Sequence, residues 1–135
     1  MRDRPTHKGI RHLALHVQSL EQMKDFYTEV LGYAVEWEPD LDNIYLTSGT
    51  DNVALHRSVP GTTKEVSSST ALDHFGLVVS SPMDVDSWAD YLHAKNVVLD
   101  KAPKTHRDGA RSCYFRDPDG NQIQIIYHPP ISDRS

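Results

Sequence analysis

Ile10-Arg-His-Leu-Ala-Leu-His-Val17 decides how this chain is read, because a second copy of it stands at Leu72-Asp-His-Phe-Gly-Leu-Val-Val79. With His12 laid on His74, the apolar Leu15 and Val17 fall on Leu77 and Val79. The spacing reads as a duplicated module. Successive side chains of a strand point to opposite faces, so each copy turns one histidine away from most of its apolar residues. Duplication would bring two such faces together, which suggests a site.

Working outward, Ser19 followed by Gln22 predicts a capping box at a helix start. Leu20, Met23, Phe26, Tyr27, Val30 and Leu31 recur at helical spacing as one apolar stripe, and Gly32 supplies the stop. Three short strands are expected next, at 33–38, 43–47 and 52–57, punctuated by Pro39-Asp40 and Ser48-Gly-Thr-Asp51. The second module repeats this order. Ser81 caps a helix opened by Pro82, with Asp84 near its N-terminus and Val85, Trp88, Ala89 and Leu92 as its stripe. Strands are expected at 97–100, 112–116 and 122–127, the last two joined by the turn residues Asp117-Pro-Asp-Gly120. The tail after His128 is expected to fray.

At 135 residues the chain is read as a single domain, 1–135, with module 1 at about 9–57, a linker at 58–71 and module 2 at about 72–128. Two strand-helix-three-strand units without a phosphate-binding glycine loop predict an α+β fold. In it, two tandem βαβββ modules form a curled, largely antiparallel sheet cup with the helices outside. A net charge of −5 with no cluster of Lys and Arg argues against nucleic acid as a partner. No apolar run approaches the roughly 18 residues of a membrane span. Residues 1–9 are polar and carry no secretory signal, which makes the cytoplasm the expected location. The one cysteine, Cys113, excludes an internal disulfide framework and a cysteine-rich zinc site, and reads as a strand packing residue.

Parity along the strands selects the chemistry. In Gln122-Ile-Gln-Ile-Ile-Tyr127, Ile123, Ile125 and Tyr127 share one face and leave Gln122 and Gln124 on the other. In module 1, Val53 and Leu55 take the core face, which sets Ala54 and His56 on the pocket face. Matching Leu55-His56 with Ile123-Gln124 makes His56 and Gln124 module equivalents. The candidate set is therefore His12, His56, His74 and Gln124, two from each module. Neutral imidazoles are good donors to first-row divalent metals and a glutamine carbonyl oxygen is a weaker one. Three imidazoles with an open position would act as a Lewis acid or lower the pKa of bound water. The same four also read as pocket histidines and a glutamine without metal. His16 shares the face of His12 but lies roughly 13 Å along the strand, too far to share one ion, and reads as pocket wall. His7, His93, His106 and His128 read as surface residues. Trp37, Tyr45, Arg57, Tyr114 and Arg116 border the cup, where packing or exposure accounts for them and contact with a ligand is the alternative.

Ile10–Val17, Phe26-Tyr-Thr-Glu-Val-Leu-Gly-Tyr33, Leu72–Val79 and Phe115-Arg-Asp-Pro-Asp-Gly-Asn121 together resemble the vicinal oxygen chelate superfamily. That superfamily includes glyoxalase I, bleomycin-resistance proteins, fosfomycin-resistance enzymes and extradiol dioxygenases. The resemblance runs from about residue 9 to residue 127. It implies metal positions at His12, His56, His74 and Gln124, the four that parity selects, and a divalent ion such as Zn, Ni, Mn or Fe. The family usually carries glutamate at the last position and often Glu or Gln where His56 stands, which makes Gln124 and His56 the catalytic candidates. Both departures remove negative charge. They count against a glyoxalase-type carboxylate proton shuttle and against an extradiol iron site of two histidines and one carboxylate. The resemblance thus implies a glyoxalase-like divalent-metal enzyme of lyase, isomerase or dioxygenase type, acting on a small oxygen-chelating substrate. The alternative is a metal-free protein of the bleomycin-resistance kind that sequesters a small molecule. By the same likeness a homodimer is expected.

Overall fold

In the computed structural model, residues 4–59 and 72–133 are described, and the expected linker, apart from its first two residues, lies outside them. The chain divides into two compact units, Met1–Thr62 and Thr63–Ser135. The first runs β1 (His12–Val17), α1 (Leu20–Asp25), a π-helical turn (Phe26–Val30), β2 (Ala34–Trp37), β3 (Asn43–Thr47) and β4 (Asn52–Arg57). Its strands lie in the order β1-β4-β3-β2. β1 runs parallel to β4, and the other two pairings are antiparallel. The second runs β5 (Phe75–Val78), α2 (Pro82–Ala94), β6 (Leu99–Thr105), β7 (Arg111–Arg116), β8 (Gln122–Tyr127) and a short α3 (Pro129–Ser132). Its order is β5-β8-β7-β6, again with the first strand parallel to the last. Each unit is thus a βαβββ module built on a mixed sheet.

Period-two burial explains the first sheet. Leu15, Val17, Ile44, Leu46, Val53 and Leu55 are buried, as are Leu20, Met23, Tyr27 and Leu31 of the helical segment beside it. That segment departs from the expected single helix. After Asp25 it widens, with the Leu31 N–H donating to the Phe26 carbonyl at 3.1 Å, the i→i+5 bond of a π turn. The Thr28 hydroxyl donates to the Lys24 carbonyl at 2.8 Å and so competes for the acceptor that an α-helix would give the Thr28 N–H. Gly32, at φ +82°, then reverses the chain. Ser19 sits at the N-cap, but its side chain makes no cap bond, so the expected box with Gln22 does not form.

In the second unit the cap is complete. Ser81 Oγ accepts from the Asp84 N–H at 3.3 Å and Asp84 Oδ2 accepts from the Ser81 N–H at 3.1 Å. Val85, Ala89 and Leu92 are buried, as are Cys113, Phe115, Ile123 and Ile125 of the sheet, and α2 packs on β6, β7 and β8. β6 starts later and runs longer than the expected 97–100. Its Pro103 and lysines depress strand propensity, yet they are tolerated because β6 is an edge strand. Residues 129–132 form a helical turn instead of fraying, with the His128 N–H donating to Ser132 Oγ at 2.8 Å. The turn at 117–120 closes through the Gly120 N–H to the Asp117 carbonyl, 2.9 Å. The buried Asp117 carboxylate also accepts from the Asp119 and Asn121 N–H groups. Among the described residues no helix is long and apolar enough to cross a membrane.

Candidate metal-binding residues

β1 sends His12, Ala14 and His16 to its open face. In register with β4, His12 stands opposite Asn52 and His16 opposite His56. His12 Nδ1 lies 2.7 Å from Asn52 Oδ1, and Asn52 Nδ2 donates to Glu36 Oε1 at 2.6 Å. The second bond fixes which end of the amide faces the ring. An amide oxygen only accepts, so His12 Nδ1 carries the proton and Nε2 carries the lone pair. His56 is held the same way: Nδ1 lies 2.7 Å from Asn43 Oδ1, and Asn43 Nδ2 donates to Asp40 Oδ1 at 2.9 Å. However, His56 is level with His16, four residues along from the level of His12. The roughly 13 Å that separates His16 from His12 therefore separates His56 as well. The register does not bring His12 and His56 together.

In the second unit His74 immediately precedes β5, and its Nδ1 is 2.7 Å from Asp73 Oδ2. This leaves Nε2 as the outward nitrogen here too. The ring stands edge-on to Tyr114, 5.3 Å between centroids. Gln124 pairs with Gly76 on one side and with Tyr114 on the other. Its Nε2 donates to Tyr114 Oη at 2.9 Å, and its Oε1 makes no hydrogen bond among the described residues. The amide lies over Gly76, where a Cβ would meet Ile126 Cγ2 at 3.3 Å and Gln124 Oε1 at 3.5 Å. His74, Tyr114 and Gln124 thus share one face, as parity predicts.

The expected equivalence of His56 and Gln124 is corrected by the register. Two residues after each repeat histidine, Ala14 pairs with Ala54 and Gly76 pairs with Gln124. Gln124 is therefore the counterpart of Ala54, and His56 that of Ile126. A slip of two residues keeps every side chain on its own face, so the hydrophobic pattern cannot register it.

Of the bordering residues, Arg57 is tied to Glu21 at 2.9 Å and Asp42 at 3.1 Å, and Arg116 to Asp100 at 2.7 Å. Trp37 is 60 % exposed and stacks on Tyr45 at 5.2 Å. Cys113 is fully buried, and loss of solvent pushes its thiol up to about 11, out of the nucleophilic range. Sequence reasoning missed Asn52, Glu36 and Asp73. Asp73 adjoins His74 in the chain and was open to notice, whereas Asn52 and Glu36 meet His12 only through pairing. Among the described residues no three of His, Cys, Asp and Glu converge into a metal-holding group. A set of two imidazoles and one amide contains only two residues of those types.

The family model for the glyoxalase/bleomycin resistance protein/dioxygenase superfamily matches residues 9–125. The chain belongs to that superfamily. Among curated relatives of this superfamily member, the uncharacterized protein YraH of Bacillus subtilis (strain 168) is 28 % identical over 84 % of this chain and 93 % of its own length. The metallothiol transferase FosB of Staphylococcus haemolyticus is 26 % identical over 87 % of this chain and 82 % of its own. Among solved structures, a lactoylglutathione lyase from Agrobacterium tumefaciens matches with a TM-score of 0.78, covering 94 % of this chain and 98 % of its own. At 18 % identity that likeness shows the fold alone.

Proposed function

We propose that this superfamily member is a divalent-metal-dependent enzyme acting on a small substrate with neighbouring oxygens, and that His12, His74 and Gln124 are its metal donors. One observation carries the reading: in all three residues the far atom is engaged by a neighbour. Asn52 takes His12 Nδ1, Asp73 takes His74 Nδ1, and Tyr114 takes Gln124 Nε2. Two imidazole nitrogens and one carbonyl oxygen are left without a hydrogen-bond partner among the described residues, a set that fits Zn, Ni, Mn or Fe. His56 is left out by its level on β4.

A bound divalent ion supplies Lewis acidity toward substrate oxygens. The donors themselves are neutral, and a glutamine amide takes up no proton at ordinary pH, so Gln124 orients and does not shuttle. That favours a lyase or transferase reaction driven by polarisation of the substrate over one driven by a ligand carboxylate. The relative named as a metallothiol transferase agrees with this class.

Metal analysis and calorimetry on tag-free protein test the proposal. His12→Ala and His74→Ala should each weaken Zn²⁺ or Ni²⁺ binding at least ten-fold. Protein that is metal-free as purified and indifferent to added Zn, Ni, Mn and Fe overturns the reading. A second reading, sequestration of a planar molecule without metal, is favoured by the exposed Trp37 stacked on Tyr45. It would show as a ligand-induced rise in melting temperature that chelators leave untouched. By likeness to the family we also propose a homodimer, which sedimentation at twice 15.3 kDa would support.

A further inference from the structure

We propose that His16 and His56 form a second metal-binding pair on the first sheet, suited to an imidazole-preferring divalent ion such as Zn²⁺, Ni²⁺ or Cu²⁺. The two are direct partners across the parallel β1–β4 pairing, on the same face and at the same level. Their ring centroids are 6.4 Å apart, with the planes at 56°. Metal–nitrogen bonds of about 2.0–2.1 Å place two imidazoles of one ion roughly 5 Å apart at the tetrahedral angle and roughly 6.5 Å when they stand opposite each other, centroid to centroid. The observed separation is that of the opposed arrangement, and side-chain rotation brings the rings to the closer one.

A second observation points the same way. A histidine left to water has no need of a fixed tautomer, yet His56 has one. Asn43 Nδ2 is occupied by both carboxylate oxygens of Asp40, at 2.9 and 3.2 Å, which turns its Oδ1 onto His56 Nδ1. The proton sits on Nδ1 and the lone pair on Nε2. This is the carboxylate–amide–imidazole layout of Glu36, Asn52 and His12, repeated four residues along the sheet with Asp40 ahead of β3, Asn43 on β3 and His56 on β4. The ring of His16 makes no hydrogen bond among the described residues and can present either nitrogen. Ala14 and Ala54, which pair with each other one step along, add no bulk beside the two rings. Tyr45 stands edge-on to His56 at 5.8 Å and walls one side. With only two protein donors, waters or an added ligand fill the remaining positions. Neutral imidazoles select Zn²⁺, Ni²⁺ and Cu²⁺ over Mg²⁺ and Ca²⁺.

The pair stands whether or not His12 and His74 hold an ion. Equilibrium dialysis of the tag-free full chain against Ni²⁺ tests it. His16→Ala and His56→Ala should each bind one Ni²⁺ per chain fewer than the unaltered protein, and His12→Ala should keep that ion. Asn43→Ala should weaken it about ten-fold, as loss of an outer-shell partner does. Without any substitution, the imidazole NMR signals of His16 and His56 should broaden together as Ni²⁺ is added. Unchanged uptake by His16→Ala, or signals of His16 and His56 that stay sharp at saturating Ni²⁺, overturns the proposal. If His12→Ala and His74→Ala leave metal uptake unchanged while His16→Ala lowers it, the earlier reading falls and this one holds.

Discussion

Asn52 engages His12 through its oxygen and Glu36 through its nitrogen, and this double engagement decides which imidazole nitrogen is bare. Replacing it by alanine frees the ring. Asn52→Ala should weaken metal binding by about 10–100-fold in calorimetry and leave the melting temperature nearly unchanged, because the residue is not buried. Gly76→Ala should be tolerated. Its Cβ would press on the Ile126 methyl at 3.3 Å and only touch Gln124 Oε1 at 3.5 Å, an ordinary contact. Ile126 then gives by a few tenths of an ångström, the strand still forms and metal affinity in calorimetry should change little. Cys113 yields a pH prediction. Its thiol is raised from an ordinary 9.0 to about 11, first by burial, so the folded state holds the proton more tightly than the unfolded chain does. The associated stability is complete below pH 9 and drains away as the pH climbs toward about 11. Urea midpoints should fall across that window, and Cys113→Ala should flatten the fall. At this scale the sequence revealed which face each candidate occupies but not its level along the strand. His56 and Gln124 have the right parity, yet they are two residues out of correspondence.

The two helix starts offer a matched pair of substitutions. Ser81 takes part in a reciprocal cap with Asp84, whereas the Ser19 side chain makes no cap bond. Ser81→Ala should cost about 1 kcal/mol, read as a fall in the denaturant midpoint, and Ser19→Ala only a small fraction of that. Arg111 ties α2 to β7 through two bonds to Asp86, at 2.7 and 3.0 Å, and holds that carboxyl below its ordinary value. This support is present at neutral pH and is lost as acid protonates Asp86. Elements with strong periodicity were legible in the sequence: 43–47, 52–57 and 122–127 emerge with the expected bounds. Those that departed did so for local reasons. The Thr28 hydroxyl competes for a helix carbonyl, and the lysines and proline of β6 hide an edge strand that its neighbour β7 nonetheless pairs with.

For the chain as a whole, an ion that binds only the folded state stabilises it by mass action, by about 2.7 kcal/mol at one hundred times the dissociation constant. Saturating Zn²⁺ should raise the melting temperature, and EDTA should reverse the rise. The duplication that makes the fold readable reflects how each unit is wired, since in both the opening strand pairs with the closing one. His12 is 40 residues from its partner Asn52. On a growing polypeptide, β1 is synthesised first within its unit and yet has no neighbour to pair with until β4 has been made. Formation of such a contact must first meet the entropy of closing the long loop between the two strands, and pairings of this kind slow folding. The histidine that opens the chain's repeat therefore waits for the last strand of its unit, and the tautomer that leaves its Nε2 bare is fixed by Asn52 only once that loop has closed.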